Sequence, residues 1–114
     1  MSIPTEFHFH GLEPSPTLEA YAIRWLDRVS HVADGITSCA IRIEMPHRHH
    51  RRGRQFHVVL SLAVPGRTLT VSRDPGAPTT HESAYAAVRD AFLALRRQLD
   101  DFMARRAHPA AAGA

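Results

Sequence analysis

Between Thr5 and His10 the chain alternates, with Phe7 and Phe9 on one side of an extended backbone and polar residues on the other. Period-two alternation predicts a half-buried strand. Gly11 to Pro16 turns the chain, and Ser15-Pro16 has the form of a helix start, a hydroxyl N-cap before a proline at the first helical position. Leu18, Ala22, Trp25 and Val29 follow at helical spacing with Leu26 beside them. They predict an amphipathic helix of about four turns, with Tyr21, Arg24 and Arg28 together on one flank of its apolar stripe. Gly35 ends that pattern. Cys39, Ile41, Ile43 and Met45 then alternate with Ser38, Ala40, Arg42 and Glu44, and Phe56, Val58, Leu60 and Leu62 alternate with His57, Val59, Ser61 and Ala63. These runs predict two strands joined as a hairpin with a long tip.

Pro65-Gly66 predicts a tight turn into a short fourth strand, where Leu69 and Val71 alternate with Thr68, Thr70 and Ser72. Asp74-Pro75-Gly76-Ala77-Pro78 is loop chemistry, and Thr79 with Glu82 has capping-box spacing. Tyr85, Val88, Phe92, Leu95, Leu99 and Phe102 recur every three or four residues, the clearest helical period in the chain. Pro109 to Ala114 is expected to be a disordered tail behind one domain spanning residues 1–108. The order is β-α-β-β-β-α. A right-handed helical crossover makes the first two strands parallel, and the hairpins add antiparallel neighbours. Each helix has one apolar stripe, so the expected fold class is α+β, a four-stranded mixed sheet with two helices packed on one face. The other face, with Arg42, Glu44, His57, Ser61, Thr68 and Thr70, is polar enough to meet water.

Composition narrows the function. At 114 residues the chain is one domain. It has no apolar run of membrane-spanning length and no basic-then-apolar start, so neither a membrane nor a secretory role is expected and the cytoplasm is the default. The one cysteine, Cys39, lies on an apolar strand face, where a buried, inert thiol is expected. All fourteen basic residues are arginine and the net charge is +3. The excess is local: Pro46 to Arg54 holds four arginines, three histidines and no acid, so everything else nets to −1.

That hairpin tip, with His47, Arg48, His49, His50, Arg51, Arg52 and Arg54, calls for an anionic partner. Arginine engages phosphate through paired donors, and histidine stacks on bases or donates when protonated. A second basic set, Arg24, Arg28, Arg89, Arg96 and Arg97, lies on the two helices. Metal binding by His47, His49, His50 and His57 is the rival reading, but no cysteine or carboxylate stands in the tip and four guanidiniums repel a cation. Catalysis finds no support: Ser30-His31 closes a helix without an evident acid partner, Asp100 and Asp101 fall on different helix faces, and no glycine-rich phosphate loop or cofactor motif is present. No cofactor and no small-molecule substrate are expected.

The element order and two local strings carry a resemblance. Pro14-Ser15-Pro16-Thr17-Leu18-Glu19-Ala20-Tyr21 and Glu82-Ser83-Ala84-Tyr85-Ala86-Ala87-Val88-Arg89-Asp90-Ala91 are similar to the two helix starts of the ribosome hibernation-promoting factor and ribosome-associated inhibitor A family, also called the sigma-54 modulation or S30AE domain. Ile36-Thr37-Ser38-Cys39 through the Pro46–Gly53 tip resembles its Arg/His-rich subgroup. The resemblance runs over residues 3 to 106. It implies the β-α-β-β-β-α fold and a non-enzymatic factor that binds the small ribosomal subunit through 16S rRNA, in the channel used by mRNA and tRNA, and blocks translation in stationary phase or stress. It implies RNA contacts from both helices; Arg28 and Arg96 align best, with Arg24, Arg89 and Arg97 matching in kind. The helices depart from the family's lysine-rich pattern, with Asp90, Asp100 and Asp101 interleaved. The tip is therefore expected to supply affinity that the helices lack. A general RNA-binding regulator that does not act on ribosomes is the alternative, and a His-rich metal-binding protein a further one.

Overall fold

The computed structural model describes residues 3–45, 56–73 and 83–107. Its elements are β1 (Thr5–His10), α1 (Pro16–Ser30), β2 (Ser38–Glu44), β3 (His57–Val64), β4 (Arg67–Arg73) and α2 (Ala84–Ala107). The tip expected at residues 46–54, the loop at 74–78, the Thr79–Glu82 capping box and the tail at 109–114 lie outside the described residues.

The sheet order is β1-β2-β3-β4, parallel between β1 and β2 and antiparallel thereafter. The parallel pair follows from α1, which returns the chain to the start of the sheet before β2 begins. Ser15 caps α1 as its sequence predicts, its Oγ accepting the Leu18 N–H at 3.2 Å with Pro16 at the first position. Gly11 has a φ of 81°, and a Cβ there would overlap the Met45 carbonyl where β1 and β2 end side by side. Gly66, at φ 83°, turns β3 into β4. α2 begins at Ala84, with the Ser83 hydroxyl accepting the Ala86 N–H at 3.3 Å.

One face of the sheet carries Cys39, Ile41, Ile43, Val58, Leu60, Leu62, Leu69 and Val71, all buried beneath the helices. α1 contributes Leu18, Ala22, Leu26 and Val29, and α2 contributes Val88, Phe92, Leu95 and Leu99. Two stripe assignments shift. Trp25 is half-buried, and Tyr85 is 40% exposed rather than part of the core. Both turn toward the seam between the helices, because Leu26 and Ala91 take the places directly over the sheet. The opposite sheet face is polar at its rim. His57 Nδ1 meets Glu44 Oε1 at 3.1 Å and its Nε2 meets Ser72 Oγ at 3.1 Å, so cross-strand side chains occupy both ring nitrogens. Burial pushes the Cys39 thiol up to about 12, which makes it inert at neutral pH.

Candidate nucleic-acid interface

The two helices run side by side in the same direction, antiparallel to β1, β2 and β4. Their seam is built from aromatic rings. Tyr21 meets Tyr85 edge to face, with centroids 5.0 Å apart and planes at 75°. One turn further along α1 and two along α2, Trp25 stacks on Phe92 at 6.5 Å and 14°. The spacing dictates this ladder. Trp25 is four residues beyond Tyr21 and Phe92 seven beyond Tyr85, so each pair repeats on one helix flank.

The same spacing aligns arginines beside the rings. Arg28 places its guanidinium 5.0 Å from the Trp25 ring centroid. A guanidinium stacked on indole keeps its N–H groups in the plane of the group, free to donate outward. Among the described residues Arg28 has no carboxylate partner. Arg89 and Arg96 fall four and eleven residues beyond Tyr85 and share its flank. Each has an acid close by, Arg89 with Asp90 at 3.5 Å and Arg96 with Asp100 at 3.3 Å, and both guanidiniums are about half exposed. Such exposed pairs are weak and exchangeable.

Not every helical arginine joins the seam. Arg24, one turn before Arg28 on α1, lines the groove between α1 and β1 with Ile3, Ile23 and Asp27. Arg97 is one residue past Arg96, about 100° further round the helix, and exposed. The helical period therefore puts Arg28, Arg89 and Arg96 on the flanks that meet at the seam, with Arg24 one turn before Arg28 beside the β1 groove and Arg97 further round α2. The tip residues His47, Arg48, His49, His50, Arg51, Arg52 and Arg54 lie outside the described residues. The strands that lead to them end at Glu44 and His57, at the sheet end that also holds His10 and the start of α1.

One cluster escapes sequence reasoning. At the other end of the sheet, Arg67 and Arg106 lie 5.9 and 5.5 Å from the Phe102 centroid. Arg106 reads from sequence as a helix-dipole cation and Phe102 as a stripe residue. Nothing local says that the β3–β4 turn delivers Arg67 to the same ring. Among the described residues no group of three or more His, Cys, Asp or Glu side chains is placed to hold a metal ion, and no helix is long and apolar enough to cross a membrane.

A four-stranded mixed sheet carrying two parallel helices, with an arginine-edged aromatic seam between them, defines an α+β module. The sequence matches the family described as sigma 54 modulation protein / S30EA ribosomal protein over residues 5–107, and the chain belongs to that family. Its members are ribosome-associated factors, not enzymes. Two solved structures share the fold. A ribosomal subunit interface protein from Coxiella burnetii has a TM-score of 0.67 at 19% identity, over 87% of this chain and 98% of that one. The N-terminal domain of Protein Y from Thermus thermophilus has a TM-score of 0.64 at 19% identity, over 90% of this chain and 99% of that one. Comparison with curated protein sequences gives no match.

Proposed function

We propose that this chain binds the small ribosomal subunit through 16S rRNA, in the channel that mRNA and tRNA use, and silences translation there during stress or stationary phase. The observation that carries the reading is the seam, which sets three arginines along an aromatic floor in a chain of a ribosome-associated family. Arg28, Arg89 and Arg96 engage successive phosphates of the RNA backbone, and the exposed Tyr85 offers an edge for an unstacked base. Arg24 and Arg97 widen the field, and the arginines and histidines of residues 47–54 add to it. The tip carries the larger share of the affinity, because residues 46–54 hold +4 whereas residues 79–106 set five arginines against four acids.

This is an occluding ligand. Nothing is transformed, so inhibition is stoichiometric with ribosomes and takes place in the cytoplasm where they work. The test is sedimentation of extract on a sucrose gradient, followed by titration of an in-vitro translation reaction. The protein should travel with 30S-containing particles and stop translation near one copy per ribosome. If it sediments free of ribosomes yet binds RNA, the general RNA-binding reading takes over. Inhibition at a small fraction of the ribosome concentration would reveal catalysis and overturn both.

A further inference from the structure

The two edges of the sheet are finished differently. On β4, Gln98 reaches down from α2 and donates through Nε2 to the Thr70 carbonyl at 3.0 Å, so a side chain already engages the middle of that edge. An edge engaged in this way is a poor template for another strand. On β1, no strand among the described residues pairs with the outer side. The β1–β2 ladder begins with Cys39 N–H to the Pro4 carbonyl and ends with Met45 N–H to the His10 carbonyl. In a parallel ladder alternate residues bond to the neighbour, so the even-numbered positions of β1 serve β2. Thr5, Phe7 and Phe9 direct their N–H and C=O groups at the open side. A groove of about 550 Å³ runs beside that edge, lined by Ile3, Thr5, Ile23 and Leu26, and Ile23 is 47% exposed.

We propose that this edge is a self-association site, where β1 pairs antiparallel with β1 of a second copy about a twofold axis at Phe7. The occupant is argued from the strand itself. With Phe7 opposite Phe7, Thr5 lies opposite Phe9, and all three outward-facing residues of each copy find ladder partners. On the polar face the same register sets Glu6 opposite His8 of the second copy, twice by symmetry. Within one chain these two side chains already approach to 3.5 Å, so their chemistry is compatible. Phe7 and Phe9, stacked at 6.3 Å, continue across the axis on the helix face, where the exposed Ile23 flank of α1 meets its counterpart. A twofold axis normal to the sheet joins two four-stranded sheets into one and keeps all helices on one side. The seam between α1 and α2 lies on the other flank of α1 and stays open in both copies. The inference does not rest on the RNA-binding reading.

Sedimentation velocity of the full chain over a concentration series tests it, in the absence of ribosomes. The expected result is a shift from one chain to two with rising concentration and no larger species. Thr5→Pro removes an N–H that points outward and leaves the β2 ladder whole. It should weaken dimerisation about tenfold or more, two ladder bonds being lost per dimer, with an unchanged circular-dichroism spectrum. Ile23→Glu, at an exposed position, should weaken it without touching the fold. Register is read by mixing Glu6→Cys with His8→Cys under mild oxidation. Residues opposite each other at a non-hydrogen-bonded position have Cα atoms about 4.5 Å apart, within disulfide reach. The mixture should cross-link well and each variant alone poorly, Cys39 being buried. A chain that is monomeric at every concentration overturns the proposal, as do dimers untouched by both Thr5→Pro and Ile23→Glu. Equal cross-linking of each variant with itself overturns the register.

Discussion

Arg28 offers the sharpest test of the helix seam. Its guanidinium rests on Trp25 and has no acid among the described residues, whereas Arg96 spends part of its time on Asp100. Arg28 is thus already held in place and uncompensated, while Arg96 must leave a pair worth about 0.2–1 kcal/mol before it meets a phosphate. Arg28→Gln keeps a polar, unbranched stem and removes the guanidinium and its charge. A hydrogen bond to a charged group contributes about 1.5–3 kcal/mol, which corresponds to roughly ten- to 150-fold in affinity. The variant also loses the stacking on Trp25, about 0.5–1 kcal/mol of stability at an exposed site, so a thermal melt should move slightly while the fold persists. The assay is filter binding to purified 30S subunits across a salt series. The log–log slope should become shallower by about 0.7–0.9, the counterion share of one phosphate. Arg96→Gln should lose less affinity, the difference being about the energy of its exposed pair. If Arg28→Gln binds with wild-type affinity and an unchanged slope, the seam does not touch the RNA backbone and the reasoning fails.

Replacing Arg48, Arg51, Arg52 and Arg54 together with serine should leave the melting temperature within a degree or two of wild type and flatten the same salt slope by about one per lost contact, a larger effect than any single helical arginine. Wild-type 30S binding by that variant would return the site to the helices. Phe92→Ala should cost about 3–5 kcal/mol in urea unfolding, since Phe92 is fully buried and carries Trp25, whereas Tyr85→Ala should cost far less because 40% of that side chain already faces water. Cys39 should resist a thiol reagent at pH 8 in the folded chain and react at once in guanidinium. Its folded-state value near 12 lies above the ordinary 9.0, so the protonated thiol favours the native state. That contribution is present in full below pH 9 and declines as pH rises from 9 toward 12, which stability curves of wild type and Cys39→Ala should separate.

Local chemistry was enough to define every element of this fold. Alternation at Phe7 and Phe9, Cys39 to Met45 and Val58 to Leu62 assigns the inner face of each strand, because side chains on an extended backbone point to opposite sides in turn. Ser15 and Pro16 mark the start of α1, since a cap is a bond between neighbours in sequence. The parallel β1–β2 pair follows from the handedness of a crossover, and the antiparallel remainder from short connections. The candidate site was legible in part: Arg28, Arg89 and Arg96 are visible as flank residues from their spacing alone.

What the period of a helix does not contain is the rotation at which it docks. A stripe as wide as that of α1 fits the sheet at several rotations, and the choice lies in the summed packing of Leu18, Ala22, Leu26 and Val29 against strands distant in sequence. That choice turned Trp25 and Tyr85 from core into seam and left Arg24, one turn before Arg28, lining the groove beside β1. Long-range packing likewise brought Arg67 to Phe102 and laid Gln98 against the β4 edge, while among the described residues no strand pairs with the outer side of β1. Sequence determined which residues share a face of their own element. Tertiary structure decided which faces meet, because that energy belongs to pairs of surfaces and to no single stretch of chain.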